Sequence, residues 1–245
     1  MSKIIVDAIQ KTSGTALTWP AADGSDGQFL KTDGSATLSF ASATSDSGLK
    51  SMQVFTSSGT WTRPADITLA HVCIVGAGAG GGCGSGGGAG AYAEKIIDVS
   101  SIGTSTVTIG AGGAGSTAQP GGTVGGLSSW VDGTNTLSCG GGLAPTAAST
   151  AYKGGLGGVA TGGTLNIVGG DSDPHHDSSY IEQIGSTGGA SFFGGGGAGG
   201  SSGTGLEPGN AARAYGAGGG GAQSSGTPTG GDGMGGVCIV YEYTS

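Results

Sequence analysis

Three groups of residues have types and spacings that could do chemistry. The first is "HVCIVGAGAGG" (71–81), where an apolar run leads into Gly76, Gly78 and Gly81 and Asp98 follows about twenty positions on. That spacing satisfies a dinucleotide fingerprint, in which a strand delivers a pyrophosphate to the N-terminus of a helix. The second is "DPHHD" (173–177), whose His and Asp side chains are metal-ligand types. The third is four cysteines, Cys73, Cys83, Cys139 and Cys238, with no C-x-x-C pair among them.

None of these makes an enzyme by itself. The fingerprint needs a helix to begin at its glycines, yet the next residues are "GCGSGGGAG" (82–90), six glycines in nine. Each interior glycine costs a helix about 1 kcal/mol relative to alanine, so no helix and no nucleotide site are expected. Adjacent residues rarely coordinate one ion in a defined geometry, so Asp173, His175 and His176 read as a solvated loop, a ligand-contacting loop or, least of all, a metal site. The cysteines lack zinc spacing and read as free thiols packed as small hydrophobes. "VCIV" occurs at 72–75 and again at 237–240. Two such strands lying side by side would close the domain and place Cys73 near Cys238. No paired-carboxylate cleft for glycoside hydrolysis is visible. The expectation is a protein that is not an enzyme and has no cofactor and no bound metal.

The elements that must position these residues are set by glycine. Of 60 glycines, six lie in residues 1–63 and 54 in residues 64–245. The chain therefore reads as a leader, 1–50, and a glycine-rich body, 51–245. The body lacks the Gly-X-Y period and the proline of collagen, with only 7 prolines in the chain. Between its glycine tracts lie β-type runs: "AYAEKIIDV" (91–99), "STVTIG" (105–110), "SSWV" (128–131), "TLNIV" (164–168) and "GVCIVYEY" (236–243). Trp61 and Trp130 fall in strand-like runs and are expected in a core. No helix is expected after residue 64, and no apolar run approaches the ~20 residues of a membrane span. "MSKIIVDAIQ" carries Asp7 and no long apolar stretch, so no secretory signal is expected. The net charge of −8 argues against nucleic acid and against anionic lipid.

Something must satisfy the backbone groups of the tracts at 76–90, 110–126, 154–170, 185–205, 216–221 and 226–236. Extended helices with three residues per turn make no internal hydrogen bonds. Several packed side by side can bond to one another only if their residues are glycine, because a Cβ would hold the backbones apart. A core of packed polyglycine II helices is therefore expected, with Gly80, Gly81, Gly82, Gly194, Gly195, Gly196, Gly197, Gly218, Gly219 and Gly220 as packing positions. A fifteen-residue tract would span ~46 Å. Valine at Gly195 or Gly219 should damage folding. The overall class is all-β and irregular: a short β leader, then polyglycine helices flanked by short strands.

These residues carry a resemblance. "FTSSGTWTRPADITLAHVCIVGAGAGGG" (55–82), "GAGAYAEKIIDVS" (88–100), "VTIGAGGAG" (107–115), "GGASFFGGGGAGG" (188–200), "AYGAGGGGA" (214–222) and "GGVCIVYEYTS" (235–245) resemble the glycine-rich domain of bacteriophage tail-fibre and adhesin proteins. The leader segment 6–40 is similar to the start of small tail-fibre proteins. The loop "GGDSDPHHDSSYIEQIGS" (169–186) departs from the family's motifs. The resemblance implies a receptor-binding protein of the virion, made in the host cytoplasm, whose loops between motifs contact a bacterial outer-membrane protein or surface glycan. Other baseplate or tail-fibre proteins would hold it. The resemblance implies a trimer or a single copy on a fibre tip, and a homotrimer is the expectation here, since "IIVDAI" and "QFLKTDGSATLSFAS" offer strands around a DG turn but too little chain for a core of its own. Tyr152, Lys153, Asp173, His175, His176 and Tyr180 are the receptor-contact candidates, and Phe192 and Phe193 are expected to pack on the glycine layer. The alternatives are a structural tail-fibre or baseplate spacer and, less favoured, a capsule depolymerase.

Overall fold

The computed structural model of the 245-residue chain describes residues 8–9, 14–42, 48–147, 152–174, 184–201, 207–223 and 228–244. Backbone contacts divide the chain into two compact units, Met1–Gly48 and Leu49–Ser245. Among the described residues every regular element is a strand, and the fold is all-β and irregular.

In the first unit, β1 (Ala8–Ile9) pairs with β2 (Leu17–Thr18), and β3 (Gln28–Thr32) pairs with β4 (Leu38–Ser42), both antiparallel. The Asp33-Gly34 turn joins the second pair. Asp33 Oδ1 accepts the Ser35 and Thr37 N–H groups at 2.7 and 3.1 Å. These bonds hold its carboxyl below the usual carboxylate range, the Ser35 bond first. Gly34 takes φ +79°, a left-handed conformation that glycine adopts without a Cβ clash.

The second unit begins with two five-stranded sheets. One has the order β14 (Ala160–Thr161), β11 (Thr136–Cys139), β10 (Ser128–Val131), β9 (Thr104–Thr108), β6 (Gly59–Thr62). The other has the order β15 (Leu165–Ile167), β8 (Tyr92–Asp98), β7 (Leu69–Val75), β16 (Val237–Thr244), β5 (Gly48–Phe55). A separate two-stranded hairpin joins β12 (Thr146–Ala147) to β13 (Tyr152–Lys153). Strand alternation sends Val72, Ile74, Ala93, Ile97, Cys238 and Val240 of one sheet against Trp61, Val107, Trp130, Leu137 and Cys139 of the other. Both tryptophans are fully buried, with ring centroids 5.2 Å apart.

The repeated "VCIV" strands do pair, β7 against β16, but the register sets Cys73 opposite Ile239 and Cys238 opposite Ile74. Neighbouring residues of a strand point to opposite faces, so Cys73 and Cys238 sit on opposite faces of the sheet. None of the four cysteines forms a disulfide, and all four are buried. Burial pushes the Cys139 thiol up to about 12 and raises Cys238 as well.

The glycine tracts form a block of backbone. Residues 76–82 display its rule. Ala77 and Gly80 donate to Gly126 and Thr123, Gly78 and Gly81 to Met234 and Gly231, and Ala79 and Gly82 to Gly88 and Ser85. Their carbonyls accept from Gly142 at Ala77, from Gly113 and Ser116 at Gly78 and Gly81, and from Gly219 and Ala222 at Ala79 and Gly82. Each neighbour returns every third residue, as three residues per turn requires. Residues 216–223 repeat the pattern: Gly218 and Gly221 donate to Gly189 and Ser186, Gly219 and Ala222 to Ala79 and Gly82, Gly220 and Gln223 to Asn210 and Glu207. This is polyglycine II packing with neighbours on all sides.

Two details differ from the reading of the sequence. The tracts are not single long helices. Residues 76–90 fold back at Gly84, which has φ +87°, so that Gly82 donates to Ser85 and Ala79 to Gly88. Residues 110–126 fold back likewise, with Thr123 bonded to Ala114 and Gly126 to Ala111. Residues 185–201 turn at Ser191–Gly194, and Gly188 donates to Gly197. Seven-residue arms reach ~22 Å. Matched arm lengths give the inward-facing polar groups partners, whereas a ~46 Å helix would leave groups unpaired beyond its neighbours' ends. The second detail is composition. "GGGL" (140–143) and "EPGNAAR" (207–213) also serve as arms, although neither looks like a tract in sequence.

Phe192 and Phe193 pack elsewhere than expected. The Phe192 ring stacks on Tyr92 of β8 at 3.8 Å and 10°, and Phe193 meets both rings edge-on. Their contact is an aromatic ring on a sheet, not the glycine layer. Phe192 is 53% exposed, so Phe192→Ala should cost only about 1 kcal/mol, read as a small drop in melting temperature.

Candidate functional site at the loop end of the glycine block

The connections of the block are directional. Arms leave β7, β9, β11 and β15 and return to β8, β10, β14 and β16, so one end of the block is anchored on the sheets. The two short turns, Ser191–Gly194 and 214–216, also lie at that end: Phe192 stacks on Tyr92, and Gly216 abuts Val75. The turns around 83–84 and 117–122, and the described arm ends that flank 148–151, 175–183, 202–206 and 224–227, lie together at the opposite end. Hydrogen bonds tie the roots of these connections side by side: Cys83 to Ala118, Gly84 to Ala222, Ser186 to Gly84, Gly155 to Gly86, Ser172 to Gly155, Gln223 to Glu207 and Gly230 to Ser116. The rigid unit is backbone, so the loops are free to vary in side chain without changing what holds the block together.

Of the six receptor-contact candidates, the structure brings together those it describes. Lys153 is exposed on β13, opposite Thr146, and the Tyr152 backbone pairs with Ala147. Asp173 is exposed and its Oδ2 accepts the Thr187 hydroxyl at 3.0 Å. Ser172 and Asp173 lie directly against Gly154, so the Lys153 and Asp173 segments are neighbours. His175, His176 and Tyr180 lie outside the described residues.

The glycine candidates divide by surroundings. A Cβ on Gly80, Gly81, Gly82, Gly196, Gly197, Gly218, Gly219 or Gly220 would fall on a backbone carbonyl of another arm: Ala114, Gly220, Pro120, Gly188, Asn210, Gly87, Gly231 and Ala198 respectively. Gly194 belongs to the Ser191–Gly194 turn, beside the Ala214 side chain. Gly195 faces open space, with nothing within 4 Å of where its Cβ would stand.

The nucleotide fingerprint is absorbed by the block. Gly76 donates to Ala91, and Gly78 and Gly81 donate to Met234 and Gly231, so these N–H groups are not available to a phosphate. Asp98 ends β8 and accepts the Ser100 hydroxyl and N–H.

A polar cluster on the outer face of the second sheet was not singled out in the sequence. His71 Nε2 lies 3.4 Å from Cys73 Sγ and 3.4 Å from Glu94 Oε2, and the Tyr92 hydroxyl donates to that oxygen at 2.7 Å. His71 and Glu94 are 26% and 32% exposed and Cys73 is 7% exposed. Burial pushes the Cys73 thiol up, and the Glu94 charge adds to this. A nucleophilic cysteine needs the opposite, an electropositive setting that stabilises thiolate. The Tyr92 phenol is raised too, by burial first and then by Cys73 and Glu94. The available signal was the alternation His71-x-Cys73, which puts both on one strand face. Glu94 joins them only through the β7–β8 register.

A comparison with curated proteins finds no match to the chain. A family model described as "Glycine-rich domain" matches residues 54–243. That span takes in every arm of the block and the strands of both sheets apart from most of β5, and the chain belongs to this glycine-rich domain family.

Proposed function

We propose that the protein is a non-enzymatic bacteriophage tail-fibre adhesin that binds a receptor on the host bacterial surface, an outer-membrane protein or a glycan. The observation that carries the reading is the gathering of the described arm ends that flank the longer connections at one end of a hydrogen-bonded block, with the sheets at the other. Binding residues are disproportionately placed on loops held by a rigid scaffold. The loop at 169–186, with Asp173, His175, His176 and Tyr180, and the hairpin carrying Tyr152 and Lys153 form the contact surface. The order of glycine motifs, which resembles phage adhesins, supports the same reading, in which the protein belongs to the virion beside baseplate or other tail-fibre proteins.

The test is adsorption. Purified protein should bind host cells and block phage adsorption. Replacing 144–153 and 173–184 by Gly/Ser loops of equal length should weaken cell binding at least tenfold while the melting temperature holds. A protein that never binds cells is a spacer, and loss of capsule staining on treatment is the mark of a depolymerase.

The leader completes the proposal as the trimerisation and virion-attachment segment. Deleting residues 1–47, which leaves β5 whole, should convert a trimer into a monomer, read by light scattering. Cell binding should fall by roughly 10²-fold, because linked sites gain avidity without new contacts. A truncated protein that stays trimeric assigns assembly to the body instead.

A further inference from the structure

The cluster on the outer sheet face has no part in the adhesin reading, and its geometry is that of a ligand set. Tetrahedral zinc holds nitrogen and oxygen at about 2.0 Å and thiolate sulfur at about 2.3 Å, which places ligand atoms about 3.3–3.5 Å apart. His71 Nε2 is 3.4 Å from Cys73 Sγ and 3.4 Å from Glu94 Oε2. Cys73 Sγ is 3.9 Å from the same oxygen, a gap that a few tenths of an ångström of side-chain movement closes. The geometry points to a binding site for a zinc-class divalent cation formed by His71, Cys73 and Glu94.

The donors decide the class of ion. One imidazole, one thiolate and one carboxylate form the borderline-soft set that zinc prefers, whereas calcium and magnesium require oxygen ligands. The frame is rigid for a reason independent of the ion. His71 and Cys73 alternate on β7, Cys73 is the register partner of Glu94 on β8, and both strands are central in their sheet. Two outer contacts orient the ligands: the Tyr92 hydroxyl holds Glu94 Oε2, and the Tyr241 ring stacks on His71 at 5.8 Å. Three protein ligands leave a fourth position. It opens to a cleft of about 280 Å³ lined by His71, Glu94, Lys95, Ile96, Thr164 and Leu165, wide enough for water or a donor from another molecule, and the Lys95 ammonium donates to Asn135 Oδ1 at 2.9 Å. Coordination displaces the Cys73 proton to solvent, so one proton leaves that thiol for each ion bound.

The test uses the full-length protein, stripped with chelator and titrated with cobalt(II) and then zinc(II). One equivalent of cobalt should produce a thiolate-to-cobalt charge-transfer band, one equivalent of zinc should remove it, and zinc should raise the melting temperature. Cys73→Ser should abolish the band. His71→Ala and Glu94→Gln, which keeps an acceptor for Tyr92, should each weaken zinc binding at least tenfold while melting like the wild type without metal. A His175→Ala/His176→Ala variant should keep the band and its stoichiometry. The proposal fails if no band forms, if the band survives Cys73→Ser, or if both His71→Ala and Glu94→Gln bind zinc like the wild type. The two single variants decide it even where Cys73→Ser does not fold.

Discussion

Valine at Gly219 is expected to abolish the folded state, while valine at Gly195 leaves stability within about 0.5 kcal/mol of the wild type. Gly219 lies in an arm with neighbours on every side. It donates to Ala79 and accepts from Gly87. A side chain there would land on the Gly231 carbonyl, which itself accepts from Gly81, while the Gly231 N–H donates to Gly220. Moving the 228–236 arm away to make room breaks bonds on both arms at once. At ~1–3 kcal/mol for each orphaned buried group, a few such losses match the roughly 5–15 kcal/mol that holds a whole domain together. Gly195 meets nothing within 4 Å, so its replacement strips no bond. Thermal melting followed by circular dichroism on the pair provides an internal control. Equal melting of Gly219→Val and the wild type would refute a core built from backbone.

The second large effect is expected at Trp61, where the side-chain core meets a buried carboxylate. Trp61 is fully buried against Trp130. Its Nε1 donates to Glu242 Oε1 at 2.7 Å, and Gln53 Nε2 donates to the same oxygen at 2.6 Å. The Ser51 hydroxyl donates to the other oxygen. Glu242 is fully buried on β16, so these donors take the place of its water. Trp61→Ala combines a large cavity with loss of the only one of these donor residues that is fully buried, and should cost about 4–5 kcal/mol. Trp61→Phe keeps most of the packing and should lose about 1.5–3 kcal/mol, the range for a hydrogen bond to a charged group. Denaturant melts of the two variants separate packing from hydrogen bonding. A cost for Trp61→Phe under about 0.5 kcal/mol would show that the indole N–H does not hold the carboxylate.

What residue types alone determined is the kind of order the chain adopts. Glycine at the frequency seen in 82–90 excludes a helix, and with it the nucleotide site that Gly76, Gly78 and Gly81 imitate. The β-type apolar runs at Val72–Val75 and 237–243 mark two strands, and the tryptophans at 61 and 130 mark the core they share. These are local signals, carried by side chains that either pack or do not. Tertiary structure decided the rest. Gly195 and Gly219 look alike in sequence, yet one faces solvent and the other a carbonyl. Residues 207–213 become an arm without a run of glycines, and 76–90 becomes two arms instead of one. His71, Cys73 and Glu94 meet only because β7 and β8 pair in one particular register. A glycine run has no side chain with which to encode register or partner. Its neighbours are chosen by the strands that launch it and by the length at which it turns, and both lie far away in the chain.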